Sequence, residues 1–200
     1  MIGEKNMLTI KRCELDKAEK FRIDNALWDT SYTPEVYAQI TYDNNAFLVK
    51  FTVWEKNPTR EKTKNFEFVH EDSCVEFFAN FTPETSDEYI NFEYNANAVI
   101  NFALRRDRYS VTELSEDDAL CLEANSQINE DYWCVSFKIP FSFIKKCYPE
   151  FDISTCKYIK GNLYKCGDKT PQPHTLSAFI VGCENPDFHR PEYFQRINIE

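Results

Sequence analysis

Period-two alternation of apolar residues, repeated along most of the 200-residue chain, predicts an all-β protein: an antiparallel β-sandwich or jelly roll with one short helix. Three observations carry that prediction. In residues 36–42 the even positions are apolar, and after Asp43-Asn44-Asn45 the phase restarts with Phe47, Val49, Phe51 and Val53. Asn and Asp tolerate the positive φ of tight turns, so the segment reads as a β-hairpin. Second, turn signals separate roughly ten such short runs, a spacing typical of sandwiches. Third, helical character is confined to residues 141–147, opened by Pro140 and closed before Pro149, positions that suit proline's missing N–H.

In order along the chain, strands are expected at 36–42, 47–53, 74–81, 89–96, 99–104, 120–127, 132–139, 157–164, 176–181 and 196–199. Glu116-Asp117-Asp118 reads as a solvated loop. Trp133 alternates with Val135, Phe137 and Ile139 and is assigned to the core, and Trp28 to packing. No repeat, Gly/Ser linker or low-complexity tract divides the chain, so residues 1–200 are taken as one domain.

Composition narrows the function. The 42% apolar fraction, with 17 Phe and 11 Tyr, supplies a core. A net charge of −10 and a pI near 4.9 argue against nucleic acid as a partner. The four glycines, at 3, 161, 167 and 182, form neither a dinucleotide fingerprint nor a P-loop. No run of 18 apolar residues points to a membrane, and the first residues carry no secretion signal, so the sequence as written suggests a cytoplasmic protein, or an extracytoplasmic one if a precursor segment is missing. Eight cysteines without a C-x-x-C pair are read as thiols, mostly buried. His70, His174 and His189 lack metal-ligand spacing.

Alternation also assigns the outward positions. Giving Phe47 to Val53 to the core sends Lys50, Thr52 and Trp54 out. The same parity sends out Glu76 and Asn80, then Asn91, Glu93 and Asn95. If these strands are neighbours, one face joins carboxylates and amides to aromatic rings, the chemistry that holds a neutral polyol. A merely solvated sheet face is the bland alternative. Glu76 and Glu93 also meet the minimum demand of a glycoside hydrolase, two carboxyls about 5–9 Å apart. Asn162, Lys165 and His174 fall in what reads as a Gly-bracketed loop, where binding groups are common.

The blocks Asp72-Ser73-Cys74-Val75-Glu76-Phe77-Phe78, Tyr89-Ile90-Asn91-Phe92-Glu93-Tyr94-Asn95, Lys160 to Asp168 with Pro173-His174, and Pro186-Asp187-Phe188-His189-Arg190-Pro191-Glu192-Tyr193-Phe194 resemble, in order, the family 9-like carbohydrate-binding modules. The likeness runs from about Trp28 to Ile199. It implies a β-sandwich that binds a small sugar or oligosaccharide without cleaving it, often with structural calcium, as a stand-alone relative of modules attached to xylanases. It also implies that Glu76 touches ligand. Where the xylanase modules clamp sugar between two tryptophans, this chain has Val69 or His70 and Phe179; Trp54 or Phe179, with His70, are the expected substitutes. The suspected kinship with haem-binding DOMON sandwiches finds no support, since the methionines are Met1 and Met7. The expected sugar-binding set is Trp54, His70, Glu76, Asn91, Glu93, Asn95, Asn162, Lys165, His174 and Phe179; Phe188 to Pro191 are assigned to shaping a loop.

Overall fold

The computed structural model describes residues 8–28 and 30–200. Its strands are β1 (Thr9–Ile10), β2 (Lys20–Arg22), β3 (Asn25–Ala26), β4 (Glu35–Tyr42), β5 (Ala46–Trp54), β6 (Cys74–Asn80), β7 (Tyr89–Asn95), β8 (Ile100–Arg105), β9 (Val111–Glu113), β10 (Asn125–Ile128), β11 (Trp133–Pro140), β12 (Tyr158–Cys166), β13 (Thr175–Ser177) and β14 (Gln195–Ile199), with helices α1 (Glu116–Cys121) and α2 (Phe141–Cys147). One sheet runs β1-β14-β12-β6-β7-β8-β9, and β13 and β3 extend it beside β12; the other runs β10-β11-β5-β4-β2. Apart from the parallel β1–β14 pair, the ladders are antiparallel.

The sheets pack face to face through the residues that alternation nominates. Val36, Ala38 and Ile40, Phe47 to Val53, and Val135, Phe137 and Ile139 come from one sheet; Val75, Phe77, Ile90, Phe92, Phe102 and Leu163 come from the other. Phe137 meets Tyr94 at 4.6 Å and Phe92 at 6.0 Å between ring centroids, locking the layers together. Asp43 Oδ1 accepts from the N–H groups of Asn45 and Ala46 and shapes the β4–β5 turn. α2 occupies the expected 141–147.

Three expectations are corrected. The acidic run forms α1 rather than a loop, because Ser115 and Asp118 build a capping box: Ser115 Oγ accepts from Asp118 N–H, and the Asp118 carboxylate accepts from Ser115 N–H. The strand expected at 120–127 therefore starts only at Asn125. The expected loop around Asn162 and Lys165 is strand, since β12 continues to Cys166 and is buried there on both faces. The sequence reading missed β1, β2, β3 and β9, whose two or three residues are too short to show a period.

Candidate functional site

β6 and β7 are central strands of the larger sheet, and every residue in both is buried. Their inward side chains face the other sheet. Of their outward side chains, Phe78 and Tyr89 are buried under Leu27, Trp28, Phe188 and Phe194, while Asn95 is held by Lys62 O and Asp72. Register sets the outward array: Glu76 stands opposite Glu93 on one side and Tyr164 on the other, Phe78 opposite Asn91 and Asn162, and Cys74 opposite Cys166. Phe78, Tyr89 and Tyr164 make an aromatic floor joined by Leu27, Val181 and Phe194. Phe188 stacks on Tyr164 at 4.0 Å and 12°, and Trp28 lies 5.6 Å from Phe188. The Trp28 indole N–H donates to Cys183 O at 2.9 Å, and its backbone sits at φ 51, uncommon for an aromatic residue.

Between floor and cover lies a cavity of about 130 Å³, lined by Glu76 and Glu93, by Trp28 and Phe188, and by His70, His189, Cys166, Asp168, Asp187 and Arg108, among others. Glu93 is held by two amides: Asn91 Nδ2 donates to Oε1 at 2.8 Å and Asn101 Nδ2 to Oε2 at 3.2 Å. Asn91 is fixed in turn, accepting at Oδ1 from Ala103 N–H and Arg105 Nε. Burial raises the Glu93 carboxyl above the usual carboxylate range, against the pull of Asn91 and His70. Glu76 is pushed further up, by burial first and then by Cys166 and Glu93. Carboxyls beside amides offer both acceptors and donors, which suits hydroxyls that do both.

His189 completes the wall. Burial, aided by Arg105 and Arg108, lowers its pKa to about 3, so the ring is neutral at physiological pH. Burial also keeps the Tyr89 phenol protonated. The Tyr89 hydroxyl and His189 Nδ1 share a hydrogen bond at 3.0 Å, and His189 Nε2 is 4.0 Å from Glu93 Oε1.

Of the ten residues nominated from sequence, His70, Glu76 and Glu93 line this cavity and Asn91 braces it. The others sit elsewhere. Trp54 is on the smaller sheet, its ring 5.8 Å from that of Tyr132, because β5 is not a neighbour of β6 or β7. Asn95 is saturated by Lys62 O, Asp72, and the N–H groups of Asn97 and Val99. Asn162 bonds both the N–H and the O of Phe179, and the Phe179 ring packs on Phe21. Lys165 points between the sheets, fully buried, with Nζ 3.4 Å from Glu55 Oε2 and 2.8 Å from Cys166 O. His174 bonds that same ammonium. Burial disfavours ionisation of Glu55, yet Lys165 and the Trp133 and Ser73 hydrogen bonds outweigh it and hold the carboxyl below its usual range. Sequence reasoning left Trp28, Arg108, Cys166, Asp168 and Asp187 out of the site and gave Phe188 and His189 a shaping role only. The available signal was the dense aromatic and proline content of residues 186–194.

Among the described residues, one group brings three Cys, His, Asp or Glu ligand atoms within reach of a single ion: Cys74 Sγ, Cys166 Sγ and a Glu76 oxygen, all within 4.8 Å of one another. Calcium, a hard cation, does not fit a group with two thiols.

The profile described as carbohydrate-binding family 9 matches residues 10–199. A solved Bacteroides uniformis structure, provisionally described as a carbohydrate-binding protein, superposes with a TM-score of 0.83 at 27% identity, covering 97% of this chain and 98% of that one. A family 9 module from Caldicellulosiruptor kristjanssonii in complex with glucose gives 0.68 at 11%, covering 96% and 95%. The cellotriose complex of a family 9 module from that organism gives 0.66 at 10%, covering 96% and 93%. No curated protein matches. With the profile spanning nearly the whole chain and the sandwich superposing on solved modules, the chain belongs to carbohydrate-binding family 9.

Proposed function

We propose that this protein binds the terminal unit of a small saccharide, without cleaving it, in the cavity beneath the 183–194 segment. The observation that carries the reading is the cross-strand Glu76–Glu93 pair, aimed away from the core into a space walled by Trp28 and Phe188. Rings offer a stacking surface to the C–H face of a sugar, while carboxyls and amides take its hydroxyls. At about 130 Å³ the cavity is smaller than the roughly 300–1,000 Å³ sites of drug-sized ligands, which favours one ring over a long chain. Family membership and the sugars held by the Caldicellulosiruptor modules support glucose and β-glucan fragments as first probes, with xylan fragments beside them.

Titration calorimetry of the wild type and Glu76→Gln against glucose, cellotriose and xylotriose tests the reading. Binding that falls at least about tenfold in the variant, roughly 1.4 kcal/mol, is expected. Unaltered affinity places the ligand elsewhere. Reducing ends released by the wild type, and abolished in Glu76→Gln, make the protein a hydrolase instead.

A further inference from the structure

At the edge of the cavity stands a second chemistry that sugar binding does not require. Cys74 and Cys166 face each other across β6 and β12, and Glu76 stands two residues along from Cys74 on the same face. Cys166 Sγ lies 3.0 Å and Cys74 Sγ 3.9 Å from Glu76 Oε1. A tetrahedral zinc ion with S and O ligands at about 2.0–2.3 Å has donor–donor edges of about 3.3–3.8 Å; the two S–O edges bracket that spacing and all three atoms lie within 4.8 Å of one another. Strand register fixes two of the donors, which lowers the entropic cost of assembling the site. Glu76 is otherwise poorly served: the two thiols, weak donors, supply its hydrogen bonds among the described residues. Asp168 and Glu93 add negative charge to the same cavity.

We propose that Cys74, Glu76 and Cys166 bind one thiophilic divalent cation, Zn²⁺, leaving its fourth position open to the cavity. Two sulfurs and one carboxylate select zinc over calcium or magnesium, and an open position is the mark of a zinc site that accepts water or a ligand oxygen. The claim goes beyond sugar binding and holds whether or not the cavity takes a saccharide. Coordination involves no redox change: Zn²⁺ replaces the protons of the two thiols and of the Glu76 carboxyl, which leave to solvent. Because ligation releases protons, affinity rises with pH.

The test uses metal-free protein under a non-thiol reductant, with no sugar added. Titration with Co²⁺ is expected to give a one-to-one complex with thiolate-to-cobalt charge-transfer absorption, displaced by Zn²⁺. Cys74→Ser and Cys166→Ser should abolish that absorption, while Cys13→Ser, at an exposed thiol, should retain it. Glu76→Gln should weaken zinc by more than the roughly 10–100-fold cost of losing an outer-shell partner. Absence of the absorption in the wild type, or its survival in both buried-cysteine variants, overturns the proposal. Should the serine variants not fold, the ¹¹³Cd chemical shift of the wild type decides: a two-thiolate shift supports the site, and an oxygen-only shift refutes it. Because sugar is absent from every arm, a failed zinc site and a failed saccharide reading are separate results.

Discussion

The outward face of the larger sheet and the outward face of the smaller one are built by the same rule and meet different fates. On β5 and β11, Lys50, Thr52, Trp54, Ser136 and Lys138 alternate outward and stay at least partly exposed, with Ala46 and Cys134 the buried exceptions on that face. On β6 and β7, Glu76, Phe78, Asn91 and Glu93 alternate outward too, and all are buried. The difference lies in what covers them. The C-terminal segment folds back over the larger sheet with Phe188, His189 and Phe194 and turns a wet face into a second, polar interior. Period-two parity therefore says which way a side chain points and nothing about whether water reaches it.

Removing an aromatic from each face tests this contrast most strongly. Phe78→Ala should cost about 3–5 kcal/mol in urea unfolding, since the ring is fully buried against Tyr89, Tyr164, His189 and Phe194. A cost near zero would mean the cover is loose in solution. Next in size is the pH dependence of the buried polar cluster between the sheets. Burial and then Lys165 lower the His174 pKa to about 4 from an ordinary 6.5. The unfolded chain thus binds a proton that the folded one refuses, and stability falls as pH drops from about 6.5 toward 4. At roughly 1.4 kcal/mol per pH unit the full effect is at most about 3 kcal/mol. Denaturant midpoints should fall more steeply over that window for the wild type than for His174→Gln; equal slopes would show that His174 is not the titrating group.

Two smaller effects sharpen the comparison. Asn101→Ala removes one of the amides that hold Glu93 while leaving the Asn91 hydrogen bond intact. A loss of about 0.5–1.5 kcal/mol in saccharide affinity is expected, with a change in melting temperature of a few degrees. Trp54→Ala on the open face should cost about 1 kcal/mol or less and leave saccharide binding unchanged. Loss of binding there would move the ligand to the smaller sheet.

The sandwich was legible because a strand with one face on a core must alternate, and β4, β5, β7 and β11 each keep phase over seven to nine residues. α2 was legible from its bracketing prolines. Part of the site was legible for the same reason: parity put Glu76, Asn91 and Glu93 on one side of the sheet, and register made them neighbours. Lys165 marks the other limit. Continuing the parity of Leu163 sends it inward, but a lysine is almost never placed in a core without a partner, and its partner Glu55 lies 110 positions earlier in the chain. The α1 helix was hidden because three consecutive acids look solvated unless the serine before them is read as a cap.

Local chemistry along the chain determined the class of fold, the inward and outward sets, and the pairing of acids with amides on one side of a sheet. Only the tertiary structure decided that β5 stays away from β6, that Trp28 and residues 183–194 close over one sheet face, and that Cys74 and Cys166 meet beside Glu76. Alternation is a property of consecutive residues and survives in any arrangement of strands. Strand order and the path of a covering segment are set by contacts between residues far apart in sequence, and a single chain read position by position carries no record of them.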